Sequence, residues 1–130
     1  MLKVTVIRSK WDRGRGAEVA ESDGATKVHL VGPNGNCCLG FACLTAGVAE
    51  QELRGKESPI ELTVDGLKVP ESLWKLFDSS GLPPDTSSYP SRACRDLMAI
   101  NDDSSKDDAY REERITKRGR EAGIEFTFVD

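Results

Sequence analysis

Aromatic residues are scarce in this chain, with four Phe, two Trp and two Tyr among 130 residues. At 6% aromatic and 38% hydrophobic against 31% charged, the composition favours a polar surface over a thick interior. Histidine is nearly absent: His29 stands alone, without the partner pattern that nucleophilic or general-base work requires. The four cysteines, Cys37, Cys38, Cys43 and Cys94, include no C-x-x-C pair, so they read as packed thiols rather than ligands or disulfides. A positive excess is missing too. The net charge of −4 opposes a duplex nucleic-acid surface, which needs a dominant basic field.

Long apolar runs are also lacking. The longest uncharged stretch, Val28 to Ala49, is broken by Gly32-Pro33-Asn34-Gly35-Asn36, so no membrane-spanning helix is expected. Met1 to Ser9 reads as a strand and not as a secretory leader, which makes the cytoplasm, where thiols stay reduced, the expected location. Phosphate-binding signatures are incomplete. Gly32 to Gly35 is not followed by the lysine and hydroxyl of a Walker loop, and Gly14 with Gly16 is too little for a dinucleotide fingerprint.

What is present suits a single domain over residues 1–130. Six prolines and twelve glycines argue for several short elements, which excludes a coiled coil, a collagen-like fibre and a multidomain enzyme. Leu2 to Arg8 alternates as a strand with one apolar face, Trp11 to Gly16 reads as a loop, and Lys27 to Val31 as a second strand before the turn at Gly32 to Gly35. Cys37 to Ala46 carries no charge and is apolar all round, so a helix there is buried, with Gly40 admitting another backbone. Asp65-Gly66 between Glu61–Val64 and Leu67–Val69 predicts a hairpin. Helices are expected from Pro70 to about Asp78, from Arg92 to about Asn101 behind Pro90-Ser91, and from Asp107 to Ala122, stopped by Gly123. Ser79 to Tyr89 is a long Ser/Pro/Gly loop, of a length that suits a lid or a subunit arm. Ile124 to Val129 alternates as a final strand. The expected fold class is α+β: a small antiparallel sheet including both terminal strands, packed by about four helices on one face.

Polar residues on apolar faces mark candidate sites. In the helix beginning at Arg92, Asn101 falls inside the stripe of Ala93, Cys94, Leu97 and Ile100, while Arg92 and Arg95 point away. It reads either as a C-terminal cap or as an amide at a pocket rim, able to read a base edge or ribose. In the last helix Arg111 and Arg118 flank the stripe around Ile115 and Ala122. They either pair with the run Asp102, Asp103, Asp107 and Asp108, or form an anion clamp that grips phosphate bidentately. Trp11, with Arg13 and Arg15, either stacks on a base or folds back onto the sheet edge. Phe77 and Tyr89 add possible stacking surface. The aspartate run fits no EF-hand spacing.

Ser9-Lys10-Trp11-x-Arg13-Gly14, Asn36-Cys37-Cys38-Leu39-Gly40-Phe41-Ala42-Cys43, Leu97-Met98-x-x-Asn101-Asp102-Asp103 and the closing Arg-rich helix and strand resemble small bacteriophage proteins of the anti-Thoeris sponge family. The resemblance implies sequestration, without cleavage, of cyclic ADP-ribose-type immune signals in pockets formed between subunits. It matches Asn101, Asp103 and Arg118 to ligand contacts. Tyr89 and Phe77 lie upstream of Asn101 without the spacing expected of the stacking aromatic. The expectation is therefore a cytoplasmic, non-catalytic homo-oligomer that binds a small nucleotide-derived ligand. No cofactor or metal, no membrane and no duplex nucleic acid is expected among its partners. The alternatives are a protein-interaction module that blocks a host protein through the Ser79 to Tyr89 loop and the basic amino-terminal loop, and a metal-dependent phosphodiesterase built on the aspartate run.

Overall fold

A computed structural model describes residues 1–13, 29–77 and 82–130. Gly14, Arg15 and Gly16, Lys27 and Val28 of the expected second strand, Asp78 and the first residues of the Ser79 to Tyr89 loop lie outside the described residues. The fold is mixed α+β. Strand β1, Leu2–Ile7, pairs with β4, Ile124–Val129, in the register Leu2↔Ile124, Val4↔Phe126 and Val6↔Phe128. The alternation read from the sequence is present in both strands. Val4, Val6, Ile124 and Phe126 are buried on one face, while Lys3, Thr5 and Thr127 are exposed on the other.

The pairing is parallel, not antiparallel as expected. The cause lies in the last helix, α5, Asp108–Glu121, which packs on β4. Gly123, at φ 75°, turns the chain back beneath that helix, and the Leu2 amide donates to the Gly123 carbonyl at 3.0 Å. The strand therefore leaves the turn alongside the start of β1 and runs with it, the rest of the chain serving as the crossover that parallel strands need. Gly119 permits the close packing, because a Cβ there would press into the Phe126 ring.

The second sheet is a small antiparallel ribbon of β2, Val31–Gly32, and β3, Gly35–Asn36, closed by Pro33-Asn34. Helix α1, Cys38–Thr45, follows at once. Its residues Cys38 to Cys43 are all buried, as a helix without a polar face must be. A Cβ on Gly40 would overlap the Leu30 carbonyl, so this glycine does admit a second backbone. A short helix α2, Glu50–Leu53, leads on.

The expected hairpin around Asp65-Gly66 is instead the end of helix α3, Ile60–Val64. Ser58-Pro59-Ile60-Glu61 has capping-box spacing, and the Glu61 carboxylate accepts from the Ser58 amide at 3.0 Å. At the other end Leu67 N donates to Leu62 O at 2.9 Å and Gly66 N to Thr63 O at 3.1 Å. That bond pair, with Gly66 at φ 74°, is a Schellman termination. A glycine at positive φ serves a hairpin and a helix end equally well, and the caps upstream decide for the helix.

A 3-10 turn at Glu71–Leu76 replaces the α-helix expected there, with Leu73, Leu76 and Phe77 buried. Helix α4, Arg92–Asp102, is capped by Ser91, whose Oγ accepts from Cys94 N at 3.1 Å. Helix α5 is capped by Asp107, which accepts from Tyr110 N at 2.8 Å. Helices α4 and α5 pack together, and α1 and α5 cover the buried face of the β1–β4 pair. No helix of the described residues is long and apolar enough to cross a membrane.

Candidate functional site

The sequence-selected residues are dispersed: Trp11, Arg13 and Arg111 border one cleft, Phe77 and Tyr89 a second, and Asn101, Asp103 and Arg118 line neither. The first surrounds Trp11, just beyond β1. Trp11 is buried against Phe128, with ring centroids 4.9 Å apart, and its Nε1 donates to Asn101 Oδ1 at 2.7 Å. The same oxygen accepts from Cys38 N at 3.0 Å. Asn101 Nδ2 donates to the Asp12 carbonyl at 3.1 Å and to Asp102 Oδ1 at 3.2 Å. Asn101, 1% exposed, therefore ties the segment after β1 to the starts of α1 and the end of α4. Both ends of its amide are engaged inside the protein, so it serves neither as a simple cap nor as an open pocket rim.

Arginines close over this junction. Arg111 is buried, donating from Nη1 to the Asn101 carbonyl at 3.2 Å and from Nη2 to Asp108 Oδ1 at 3.4 Å. Arg13 lies over the Trp11 ring at 4.5 Å from its centroid, and its Nη2 meets Asp108 Oδ2 at 2.8 Å. Arg8 grips Glu112 through Nε at 3.0 Å and Nη2 at 2.8 Å, and Asp130 through Nη1 at 2.9 Å. These hydrogen bonds, first to Glu112 and then to Asp130, push the Arg8 guanidinium above its ordinary pKa. The three arginines line a polar cleft of about 470 Å³. Each meets a carboxylate of this chain, so the cations are already neutralised by internal partners.

Arg118 sits apart from that cleft, with Nε 3.4 Å from Asp96 and Nη1 2.8 Å from Glu121. Arg111 and Arg118 thus do not close on one cleft. Asp103 lies in an exposed turn, where it accepts from Ser105 N at 3.0 Å and from Ser105 Oγ at 2.5 Å. Those bonds, the side-chain one foremost, hold its carboxyl below the ordinary carboxylate range. The rest of the aspartate run is divided among other tasks: Asp107 caps α5, Asp108 joins two arginines and Asp102 accepts from Asn101. Among the described residues no three His, Cys, Asp or Glu side chains lie together as a metal site would need.

The second cleft is larger, about 660 Å³, and lies between the segment Leu82 to Tyr89, the end of the 3-10 turn and the start of α4. Phe77 and Tyr89 both border it, Phe77 buried in the floor and Tyr89 82% exposed. Lys75, Arg92 and Arg95 line it as well. Arg92 and Arg95 are three residues apart on the outward face of α4, so their guanidinium groups share one side of the helix. Among the described residues none of these three cations makes an ion pair or hydrogen bond through its side chain. Of the carboxylates on the cleft, Glu121 is bound to Arg118, and Asp85 is held by Ser87.

Sequence reasoning passed over Lys75, Arg92, Arg95 and Asp85, because it searched for polar groups facing inward. The available signal was the opposite one: two outward arginines in the first turn of a helix, directly after a Pro/Ser-rich loop ending in an aromatic residue.

No family model, no curated protein and no solved structure matches this chain.

Proposed function

We propose that the protein is a non-catalytic binding protein that sequesters a small phosphate-bearing nucleotide in the cleft at the start of α4. One observation carries the reading. Lys75, Arg92 and Arg95, without a side-chain partner among the described residues, border a cleft of about 660 Å³ beside the exposed ring of Tyr89. A cleft of roughly 300–1,000 Å³ suits a small ligand, guanidinium groups take phosphate bidentately, and an exposed phenol ring offers a stacking face. Binding of this kind needs no acid–base pair. The resemblance to the phage sponges narrows the ligand to a cyclic nucleotide or cyclic ADP-ribose-type signal. The same reading makes the protein a homo-oligomer in the cytoplasm of an infected host, where it blocks anti-phage defence.

The test is depletion. Cyclic ADP-ribose isomers and cyclic dinucleotides are incubated with the protein, the mixture is filtered, and the retained fraction is denatured. The expected result is loss of a ligand from the filtrate, its intact recovery from the denatured protein, and at least ten-fold weaker retention by the Arg92→Ala/Arg95→Ala double variant. An undepleted filtrate, or recovery only of fragments, defeats the reading.

A second reading, a protein-interaction module, draws on Leu82 and Tyr89, which are 62% and 82% exposed on one segment. It predicts that Leu82→Ser abolishes capture of a host protein while the double arginine variant retains it.

A further inference from the structure

Among the described residues β4 pairs with β1 alone, so its other edge has no strand beside it. The ladder decides which peptide groups stand on that edge. The Leu2 amide donates to the Gly123 carbonyl, so Glu125 and Thr127 turn their N–H and C=O groups toward β1. Ile124, Phe126 and Phe128 turn theirs away. An open edge is a template for another strand, and natural sheets guard it with lysine, proline or a bulge. β4 carries none of these. Its sequence Ile-Glu-Phe-Thr-Phe-Val is β-branched or aromatic at every position but Glu125, and its register with β1 is unbroken.

The neighbouring helix identifies the occupant. Glu113, Thr116, Lys117 and Arg120 lie on one face of α5, and with half-buried Phe128 they border a groove of about 430 Å³. Among the described residues the side chains of Glu113, Lys117 and Arg120 make no ion pair or hydrogen bond. This stripe is acidic at its start and basic at its end, so it complements itself when a copy is laid on it in the opposite direction. An antiparallel meeting of two β4 edges has the same direction and the same centre. α5 runs against β4, since Gly119 packs on Phe126 and Glu112 shares Arg8 with Asp130. The middle of β4 is thus level with the Thr116–Lys117 turn of the helix. A two-fold axis at that level sets Phe126 against Phe126 of the partner subunit, Ile124 against the partner's Phe128, and Glu113 against the partner's Arg120.

We propose that the outer edge of β4 and the Glu113–Arg120 face of α5 form a docking surface for a second copy of this chain, joined about a two-fold axis into one sheet of order β1-β4-β4-β1. The strand edges supply main-chain hydrogen bonds, which give affinity, and the Glu113–Arg120 contacts fix direction and register. An isologous contact of this kind closes on itself, so assembly through it stops at the dimer. The proposal rests on the homo-oligomer read above and not on its ligand, because this face shares no lining residue with the cleft beside Tyr89.

Analytical ultracentrifugation of the whole protein tests it. At about 100 µM the unaltered chain is expected to sediment as a dimer of the 14.2 kDa chain. Glu113→Arg and Arg120→Glu, both at exposed positions, each set like charges together at both contacts. Each is expected to weaken self-association by about ten-fold or more. Mixing the two variants restores opposite charges at both contacts, so the mixture is expected to dimerise within about three-fold of the unaltered chain. In the dimer the Phe128 amide is expected to exchange hydrogen about ten-fold more slowly than in either variant alone. A chain that stays monomeric at about 100 µM overturns the proposal. So does an oligomer that neither variant weakens, or a weakening that mixing does not rescue; both leave association through another face. Capture of a different protein's strand on β4 by a monomeric chain overturns it as well. Nucleotide depletion by a monomeric variant would leave the reading of the cleft intact.

Discussion

At the scale of single residues, Asn101 shows what a polar side chain on an apolar stripe can mean. Its amide holds the Trp11 indole, the Cys38 backbone and the Asp12 carbonyl at once. Removing it strands two buried donors and an acceptor, and an unsatisfied buried group costs about 1–3 kcal/mol. Asn101→Ala is therefore expected to lower unfolding stability by about 3 kcal/mol or more, read from the urea midpoint. Adding Trp11→Phe should then cost little further, since the orphaned indole donor is gone. Additive losses would show that the two side chains are not coupled. The stripe made Asn101 visible from the sequence. Its partners were not visible, because they come from residues 11, 12 and 38, and one-element periodicity carries no information about distant segments. The same blindness applies to Arg13, whose partner Asp108 lies on the last helix. The pairing of Arg111 with Asp108, by contrast, is one of the two readings that the aspartate run offers.

At the scale of elements, the limits of sequence reading follow from chemistry shared between motifs. Asp-Gly supplies a positive φ wherever it occurs, so the signal at Asp65-Gly66 fitted both a hairpin and the termination of α3. The deciding information lay seven residues upstream in the Ser58–Glu61 cap. Gly66, at φ 74°, has no freedom to accept a Cβ without strain of about 1 kcal/mol. Gly66→Ala is expected to lower the Tm by about 3–5 °C in a calorimetric scan. An unchanged or raised Tm would mean that this helix end tolerates a different geometry. By contrast, α1, α4 and α5 were legible because each carries its own evidence: an uncharged apolar run for α1, and Ser91 and Asp107 caps ahead of periodic stripes for the others.

At the scale of the whole molecule, the buried thiols link the core to pH. Burial is the leading cause that pushes Cys37 and Cys94 from the ordinary 9.0 up to about 12, and Cys38 and Cys43 move in the same direction for the same reason. A group with a raised folded pKa contributes its full stability below its unfolded pKa and loses that contribution as pH rises through the folded value. Stability is thus expected to hold up to about pH 9 and to fall between about pH 9 and 12. Unfolding titrations across that range check it, and a Cys→Ala series that left the decline unchanged would remove the thiols as its cause. At pH 8 a disulfide reagent should label none of the four cysteines until denaturant is added, since all four are buried.

The parallel seam between β1 and β4 also has a temporal side. Among the described residues the sheet partners of Val4 and Val6 are Phe126 and Phe128, far along the chain, so β1 must wait for β4 to leave the ribosome. At typical elongation rates that interval is on the order of ten seconds, during which the edge of β1 that β4 will occupy is unpaired. Such sequence-distant pairing raises the contact order and slows the closing step. For this chain the final six-residue strand acts as the latch of folding, and a nascent chain halted before Ile124 is a natural client for a chaperone.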